Sequence, residues 1–165
     1  MYRPRPVPAV RGAAGRVGDV PHVLIASDAP WVHDEVKAVL GRTTTVQSVV
    51  SGRAVRGAAK LQQPDLVVLD SQIGNMGGIA VTLDLHNEES GGRLPHLPVL
   101  LLLDRQPDVF LARNANVEGF LVKPLDPMRL RRAVTALLGG GTFEDRVVAG
   151  DASTNFRPTP DSAAR

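Results

Sequence analysis

Residues 64–70 (Pro-Asp-Leu-Val-Val-Leu-Asp) most constrain what this chain can fold into. The stretch places four apolar residues between Asp65 and Asp70. A short apolar run bounded by polar or turn residues is typical of a strand buried on both faces, as in the middle of a parallel sheet. Because Pro64 cannot donate a ladder hydrogen bond, it suits the entrance of such a strand. The stretch therefore predicts a central parallel strand with Asp70 at its carboxyl end.

The rest of the chain alternates strand and helix patterns around this segment. Apolar or β-branched runs predict further strands at 23–26, 43–50, 99–103 and 119–122. Apolar residues at helical spacing predict helices at 30–40, 54–61, 79–89, 107–114 and 127–138. Five alternations of strand and helix predict an α/β fold, a five-stranded parallel sheet with helices on both faces, in one three-layer domain.

This domain is expected to span residues 22–139, between two disordered tails. Residues 1–21 are rich in Arg and Pro, residues 140–165 are polar, and neither segment shows an apolar period. Four arginines and Asp19 give the first tail a charge of +3, so the high pI is largely a property of that tail. No aromatic residue lies between these arginines. A solvated arm is therefore favoured over a nucleic-acid-binding segment.

Several classes of function are excluded or disfavoured by composition. The chain has no cysteine, which excludes disulfides and thiolate metal sites. No apolar stretch is long enough to span a bilayer, and the N-terminus lacks the apolar segment of a secretory signal, so we expect a cytoplasmic protein without membrane attachment. No Walker or G-x-G-x-x-G motif occurs, and the four histidines lack metal-ligand spacing.

Charged residues follow three of the predicted strands. Asp28 follows the first strand, Asp70 ends the third and Lys123 follows the fifth. Because ligands of open α/β sheets bind beyond the carboxyl ends of the strands, these groups are expected to share one crevice. Two carboxylates suit Mg²⁺, a lysine suits a phosphoryl group, and a carboxylate can accept a phosphoryl group covalently. The alternatives are that Asp28 and Asp70 only cap helices and that Lys123 is a surface residue.

At this point the chain resembles the receiver domains of response regulators, the CheY-like family. The resemblance covers residues 22–138 and implies the flavodoxin-like strand order 2-1-3-4-5. The matching segments are 23–30 (Val-Leu-Ile-Ala-Ser-Asp-Ala-Pro), 64–70, 76–78 (Met-Gly-Gly), 97–100 (Leu-Pro-Val-Leu) and 119–126 (Gly-Phe-Leu-Val-Lys-Pro-Leu-Asp). Each segment is a weak signal alone, and together, in order and at family spacing, they are a specific one.

The resemblance implies a role for several residues. Asp70 matches the phosphoacceptor, and Asp28 matches an acid that binds Mg²⁺ directly. Gln72 stands where the family offers a backbone carbonyl to the metal, so the implied metal ligands are Asp28, Asp70 and Gln72. Lys123 matches the lysine that contacts the phosphoryl group. The peptide bond between Lys123 and Pro124 is expected to be cis.

The chain departs from the family pattern at two positions. Ser27 stands where the family has the first of two adjacent acids, and Leu103 stands where it has a Ser or Thr that bonds the phosphoryl group. Phe120 occupies the position of the aromatic switch residue, so Leu103 and Phe120 are the expected switch positions. Asp104 replaces a residue that is usually small, and either substitution for the lost acid or repulsion of a phosphoryl group stays open.

These observations predict a single-domain response regulator of a two-component or phosphorelay pathway, which is not an enzyme. A sensor histidine kinase or phosphotransfer protein would phosphorylate Asp70 with Mg²⁺. The output would be a changed surface around strands four and five and the last helix, read by a downstream protein. No DNA-binding domain is expected, and homodimer formation stays open. The alternative is a pseudo-receiver, a binding module that works without phosphorylation, which Ser27 and Leu103 both favour.

Overall fold

Strands and helices alternate along the computed structural model, which describes residues 20–146. The strands are β1 (His22–Ala26), β2 (Thr45–Val49), β3 (Leu66–Asp70), β4 (Val99–Leu103), β5 (Gly119–Val122) and β6 (Phe143–Glu144). The helices are α1 (Pro30–Leu40), α2 (Gly52–Gln62), α3 (Gly78–Ser90), α4 (Val109–Asn114) and α5 (Pro127–Leu138), with 3-10 turns at Gly41–Thr43 and Gln106–Asp108. Within this part of the chain, no helix combines the length and apolar character needed to cross a membrane.

The strands form one parallel sheet in the order β2-β1-β3-β4-β5-β6. This confirms the predicted α/β class and the flavodoxin-like order of the first five strands. β3 lies between β1 and β4, and all five of its residues are buried. Its unbroken apolar run is what a strand covered by helices on both faces requires.

The predicted count of five strands is wrong by one, because residues 143–144 add β6 to the edge of β5. These residues fall in the expected C-terminal tail. Two residues are too few to show a strand period, so the sequence carries no signal for β6. Phe143 packs against the core that faces α1 and α5. Most of the two predicted tails, residues 1–19 and 147–165, lies outside the described residues.

Alternate side chains of the sheet pack into two separate cores. Leu24, Val67, Leu101 and Phe120 belong to the core beneath α2 and α3. The intervening residues of the same strands belong to the core beneath α1 and α5, and include Val23, Ile25, Leu66, Val68, Leu100, Leu102 and Leu121. This alternation follows from the two-residue period of a strand. It gives the three-layer arrangement that strand and helix alternation predicts.

The strand register aligns the carboxyl ends of the central strands. Ala26 pairs with Leu69, and Asp70 pairs with Leu102. Leu103 pairs with Val122 on the next strand. The residues that follow β1, β3, β4 and β5 therefore meet at one edge of the sheet. This edge is where the sequence predicts the functional residues.

Candidate functional site

Asp70 lies at the centre of this edge, where its carboxylate contacts groups from two other strand ends. The Ser27 hydroxyl donates to Asp70 Oδ2 over 2.7 Å, and Lys123 Nζ donates to Oδ1 over 2.9 Å. The backbone N–H of Gln72 also donates to Oδ1, over 3.1 Å. Asp70 is only 2% exposed. A buried carboxylate requires such partners, and this one has a cation on one oxygen and a neutral donor on the other.

Ser27 is fully buried, and its hydroxyl, carbonyl and backbone N–H all form hydrogen bonds. Its hydroxyl accepts from the backbone N–H of Ala29 over 3.1 Å while it donates to Asp70. Its carbonyl accepts a hydrogen bond of 2.7 Å from His33 Nε2, so this ring nitrogen is a donor. His33 is buried as well. These contacts fix Ser27 beside the carboxylate of Asp70.

Asp28 is exposed, and its carboxylate faces the loop after β3. Asp28 Oδ2 accepts from the backbone N–H of Gly74 over 3.1 Å. Ala29, not Asp28, is the N-cap of α1, and α1 has no side-chain cap. The helix-capping alternative for Asp28 is therefore not supported. Asp28 and Asp70 are both held by backbone N–H groups of the same loop, two residues apart.

Lys123 is shared between two carboxylates. Its Nζ lies 2.9 Å from Asp70 Oδ1 and 2.7 Å from Asp104 Oδ1. Burial alone would lower the pKa of Lys123, but the hydrogen bonds to Asp104 and Asp70 raise it overall. The Lys123 ammonium also lies 5.4 Å from the centroid of the Trp31 ring, within the range of a cation–π contact. The Lys123 ammonium is therefore held by contacts with Asp70, Asp104 and Trp31. The peptide bond between Lys123 and Pro124 is cis, as the resemblance implies.

The two expected switch positions are packed in the core. Leu103 and Phe120 are each 1% exposed, and both belong to the core beneath α2 and α3. The Arg113 guanidinium of α4 lies 5.8 Å from the centroid of the Phe120 ring. Leu103 offers no donor to a ligand at Asp70. In this arrangement both residues act by packing, and their role in switching stays a prediction.

The loop after β3 approaches Asp70 closely only because of a glycine. An ideal Cβ on Gly78 would lie 2.7 Å from the Asp70 carbonyl oxygen and 2.8 Å from Ser71 Cα. These distances are too short for any other residue without a shift of the backbone. The Gly78 N–H donates to the carbonyl of Ser71 over 3.0 Å. Gly78 thus fixes the start of α3 against the carboxyl end of β3.

The acids at this edge fit a hard divalent cation that keeps most of its water. Mg²⁺ is bound by one or two carboxylates with waters and a phosphate oxygen. Asp28 and Asp70 supply two carboxylates, and Ser27 supplies no third. Across residues 20–146, no group of three or more His, Cys, Asp or Glu residues forms a metal cluster. The donor set thus suits Mg²⁺ and is too small for a metal that needs a cage of side chains.

Three contacts of this site were not predicted from the sequence. The hydroxyl of Ser27 binds Asp70, Asp104 binds Lys123, and Trp31 faces the same lysine. Ser27 and Asp104 both follow strands, so their position at the sheet edge was readable. Trp31 fits the apolar period of α1, yet its side chain is 45% exposed. Its place in the sequence, four residues after Ser27 at the end of the first strand, is the signal that could have identified it.

Comparisons with known proteins agree on one protein family. The family model described as the response regulator receiver domain matches residues 23–135. The DNA-binding dual master transcriptional regulator RpaA of Synechocystis is 31% identical over 122 residues, which cover 72% of this chain and 49% of that protein. The probable transcriptional regulatory protein TcrX of Mycobacterium tuberculosis is 30% identical, with 70% and 49% covered. The chain thus spans about half the length of these curated relatives.

Solved structures give the same fold. The receiver domain of a signal transduction histidine kinase from Syntrophus aciditrophicus superposes with a TM-score of 0.64 at 28% identity, covering 73% of this chain and 91% of that one. The chemotaxis response regulator CheY4 of Vibrio cholerae also gives a TM-score of 0.64, at 19% identity, covering 72% and 99%. The second match shows the fold alone. Together with the family model and the geometry at Asp70, they show that this chain belongs to the response-regulator receiver domain family.

Proposed function

We propose that this receiver domain accepts a phosphoryl group on Asp70 with Mg²⁺ and passes the signal on through protein–protein contacts. The observation that carries the proposal is the position of Asp70 between Ser27 and Lys123. A nucleophilic carboxylate must be oriented, and the incoming phosphoryl charge must be neutralised. Ser27 and the N–H of Gln72 orient the carboxylate, and Lys123 supplies the charge.

The proposed step is a transfer to the carboxylate of Asp70. An oxygen of Asp70 forms a bond to phosphorus, while the bond from phosphorus to the donor's leaving atom breaks. The leaving group keeps that electron pair, so no oxidant or reductant is needed. Lys123 can contact the phosphoryl group once it is on Asp70, because its Nζ already contacts Asp70 Oδ1. It would then exchange part of its contact with Asp104 for a phosphoryl oxygen.

Asp28, Asp70 and the backbone carbonyl of Gln72 are the residues that would hold Mg²⁺. When bound, the ion would neutralise negative charge on the phosphoryl oxygens. Hydrogen bonds from the Gly74 and Gln72 N–H groups to the two carboxylates support this assignment. Gln72 is exposed, so that end of the site is open to solvent.

The phosphoryl donor would be a sensor histidine kinase or a phosphotransfer protein. The downstream partner would bind the surface around β4, β5 and α5. Because the chain spans about half the length of its curated relatives, their DNA-related activities are not transferred to it. The expectation of a single-domain regulator stays a prediction, as does a homodimer.

The test is incubation with acetyl phosphate and Mg²⁺, read by intact mass. The expected result is one added phosphoryl group, lost in Asp70→Asn. Asp65→Asn is the matched control, since Asp65 lies just before the other end of β3 and accepts from the His22 N–H. Asp65→Asn should be phosphorylated like the unmodified chain. An unmodified chain without an adduct would contradict the proposal.

A pseudo-receiver is the second candidate, favoured by two specific features. Ser27 replaces an acid and is committed to Asp70 and Ala29. Leu103 is packed in the core and has no hydroxyl. A module of this kind would bind its partner equally well with and without the phosphodonor. Identical masses for the unmodified chain and Asp70→Asn after incubation would favour it.

A further inference from the structure

The segment after α5 returns to the sheet and reaches the residues that carry Lys123. Residues 143–145, here named the C-terminal clasp, consist of the two residues of β6 and Asp145. Phe143 and Glu144 pair with Gly119 and Phe120 of β5. The N–H of Asp145 donates to the carbonyl of Phe120 over 3.1 Å. The clasp thus covers the outer edge of β5 and places Asp145 beside the end of that strand.

The side chain of Asp145 extends the contact between β6 and β5 by one further hydrogen bond. Asp145 Oδ2 accepts from the backbone N–H of Val122 over 3.0 Å, and the Arg129 guanidinium of α5 donates to the same oxygen. The Asp145 side chain is 2% exposed. A buried carboxylate is tolerated only when it is paired and hydrogen-bonded, and both conditions hold here. Loss of the charge would weaken both hydrogen bonds to this oxygen and leave the Arg129 guanidinium without its counter-charge.

Arg129 extends this arrangement to the other side of Lys123. Its second terminal nitrogen, Nη2, donates to the carbonyl of Pro124 over 2.9 Å. Val122 is therefore held by Asp145 directly, and Pro124 is held by Asp145 through Arg129. The N–H of Lys123 itself donates to the carbonyl of Leu103 over 2.8 Å. Of these three backbone contacts of residues 122–124, two thus depend on the carboxylate of Asp145.

We propose that Asp145 is a positioning residue for Lys123, so that the C-terminal clasp is part of the phosphoryl site although it does not touch it. The inference rests on the proposed function of Lys123 as the group that contacts the phosphoryl oxygen. Small displacements of a group that neutralises charge reduce its effect strongly, because the productive geometry is narrow. Asp145 acts by keeping the backbone on both sides of Lys123 in place.

Glu144 provides a matched comparison on the same strand. It forms an ion pair of 2.8 Å with Arg113 of α4, in which the two side chains are 57% and 58% exposed. Exposed pairs of this kind contribute little. Within residues 20–146, no hydrogen bond or ion pair joins Glu144 to residues 122–124. A change at Glu144 therefore perturbs the clasp without loosening Lys123.

The experiment measures binding of beryllofluoride, a phosphoryl mimic, in the presence of Mg²⁺. Trp31 is the only tryptophan of the chain and faces Lys123, so its fluorescence reports the site. Asp145→Asn is expected to weaken binding about tenfold, and Glu144→Gln is expected to leave it unchanged. Lys123→Met completes a double-mutant cycle with Asp145→Asn. The cycle separates an effect that acts through the position of Lys123 from general structural damage. In that background Asp145→Asn should have no further effect, because the group it positions is gone.

Each outcome separates the inference from the function on which it rests. An unmodified chain that binds no beryllofluoride overturns both. Binding that Asp145→Asn leaves unchanged, or effects of Asp145→Asn and Lys123→Met that simply add, overturn the inference alone. If Asp145→Asn does not fold, Arg129→Lys carries the same expectation. Lysine keeps a charge for Asp145 but lacks the planar fork that also reaches Pro124.

Discussion

Ser27 donates a 2.7 Å hydrogen bond to Asp70, and both side chains are buried. Family resemblance places a second acid at the position of Ser27. A hydroxyl orients the Asp70 carboxylate without adding a negative charge beside it. Because this arrangement has one acid fewer to repel Asp70, we expect a lower affinity for Mg²⁺ than in a site with an acid at this position. The replacement of a charged acid by a hydroxyl that orients Asp70 is the main departure of the site from the family pattern.

Ser27→Asp is expected to raise the affinity for Mg²⁺ about tenfold, because the added carboxylate would stand beside Asp70 and increase the negative charge available to the ion. Without Mg²⁺ the same variant should unfold at a lower temperature, since a new buried charge meets Asp70. Mg²⁺ titration followed by Trp31 fluorescence measures the first effect, and thermal unfolding measures the second.

Ser27→Ala is the control for this variant. It removes the hydrogen bond without adding charge, and should reduce the free energy of unfolding by about 1.5 to 3 kcal/mol, as for a lost bond to a charged group. Its Mg²⁺ affinity should stay close to that of the unmodified chain. Equal Mg²⁺ affinities for Ser27→Asp and Ser27→Ala would contradict the account of Ser27 given above.

Asp104→Asn is expected to strengthen beryllofluoride binding about three- to tenfold, because Lys123 loses one of two competing carboxylates and the site loses a negative charge. Asp104 is exposed, so the gain should shrink as the salt concentration rises. Titrations at low and high ionic strength measure both effects. Weaker binding by Asp104→Asn would instead mean that Asp104 substitutes for the lost acid.

Glu88 of α3 is expected to make the fold sensitive to acid. Its carboxylate lies 3.0 Å from Arg93 Nε and 2.6 Å from Lys60 Nζ, and hydrogen bonds from these groups lower the pKa of Glu88 to about 2. A depressed pKa stabilises the fold above the unfolded value of 4.5, and this contribution is lost as the pH falls towards 2. Glu88→Gln should lower the urea midpoint at neutral pH and flatten its decline in acid.

Asp84→Asn is the matched control for Glu88→Gln. Asp84 pairs with Arg56 on the same two helices, but its side chain is 26% exposed, against 8% for Glu88. Its substitution should change the urea midpoint little. Equal changes in the urea midpoint for Glu88→Gln and Asp84→Asn would contradict a specific contribution of the ion pairs of Glu88.

His96 is expected to make stability fall in mildly alkaline solution. Its Nε2 lies 3.2 Å from Glu118 and its Nδ1 lies 3.0 Å from Glu89. The hydrogen bond to Glu118, with that to Glu89, outweighs burial and raises the pKa of His96 to about 9. A raised pKa contributes stability that is complete below 6.5 and is lost as the pH rises to about 9.

Urea unfolding across this pH range measures the effect of His96. His96→Gln should lower the midpoint near pH 6.5 and remove most of its decline towards pH 9. His86→Gln, on the same helix as Glu89, should retain the decline. A decline of the same size in both variants would assign the pH dependence to another group.

Strands with long apolar runs were predictable from the sequence, and those with short or mixed runs were less so. The runs of β3 and β4 are buried at every position, so their composition alone identifies them. β2 begins at Thr45 and not at residue 43, because Gly41–Thr43 form a 3-10 turn. β6 has two residues, and its position depends on pairing with β5. Pairing partners distant in sequence leave no local pattern.

The strand-end rule identified which residues share the site, but not which of them touch. It placed Asp28, Asp70 and Lys123 at one edge, where the structure has them. Whether Lys123 turns towards Asp70 alone or also towards Asp104 depends on the rotamer of a long side chain. Asp145 follows no predicted strand, so the same rule could not select it. Its contacts arise from the return of the chain after α5.

β6 changes how another polypeptide can recognise this molecule. An open strand edge invites a partner to extend the sheet through main-chain pairing. Here the main chain of β5 is already occupied by residues 143–144 and by the carboxylate of Asp145. Within residues 20–146 only a two-residue strand lies beyond it. We therefore expect a protein that binds this side of the domain to recognise exposed side chains such as Arg113 and Glu144, so that its specificity depends on sequence more than on main-chain pairing.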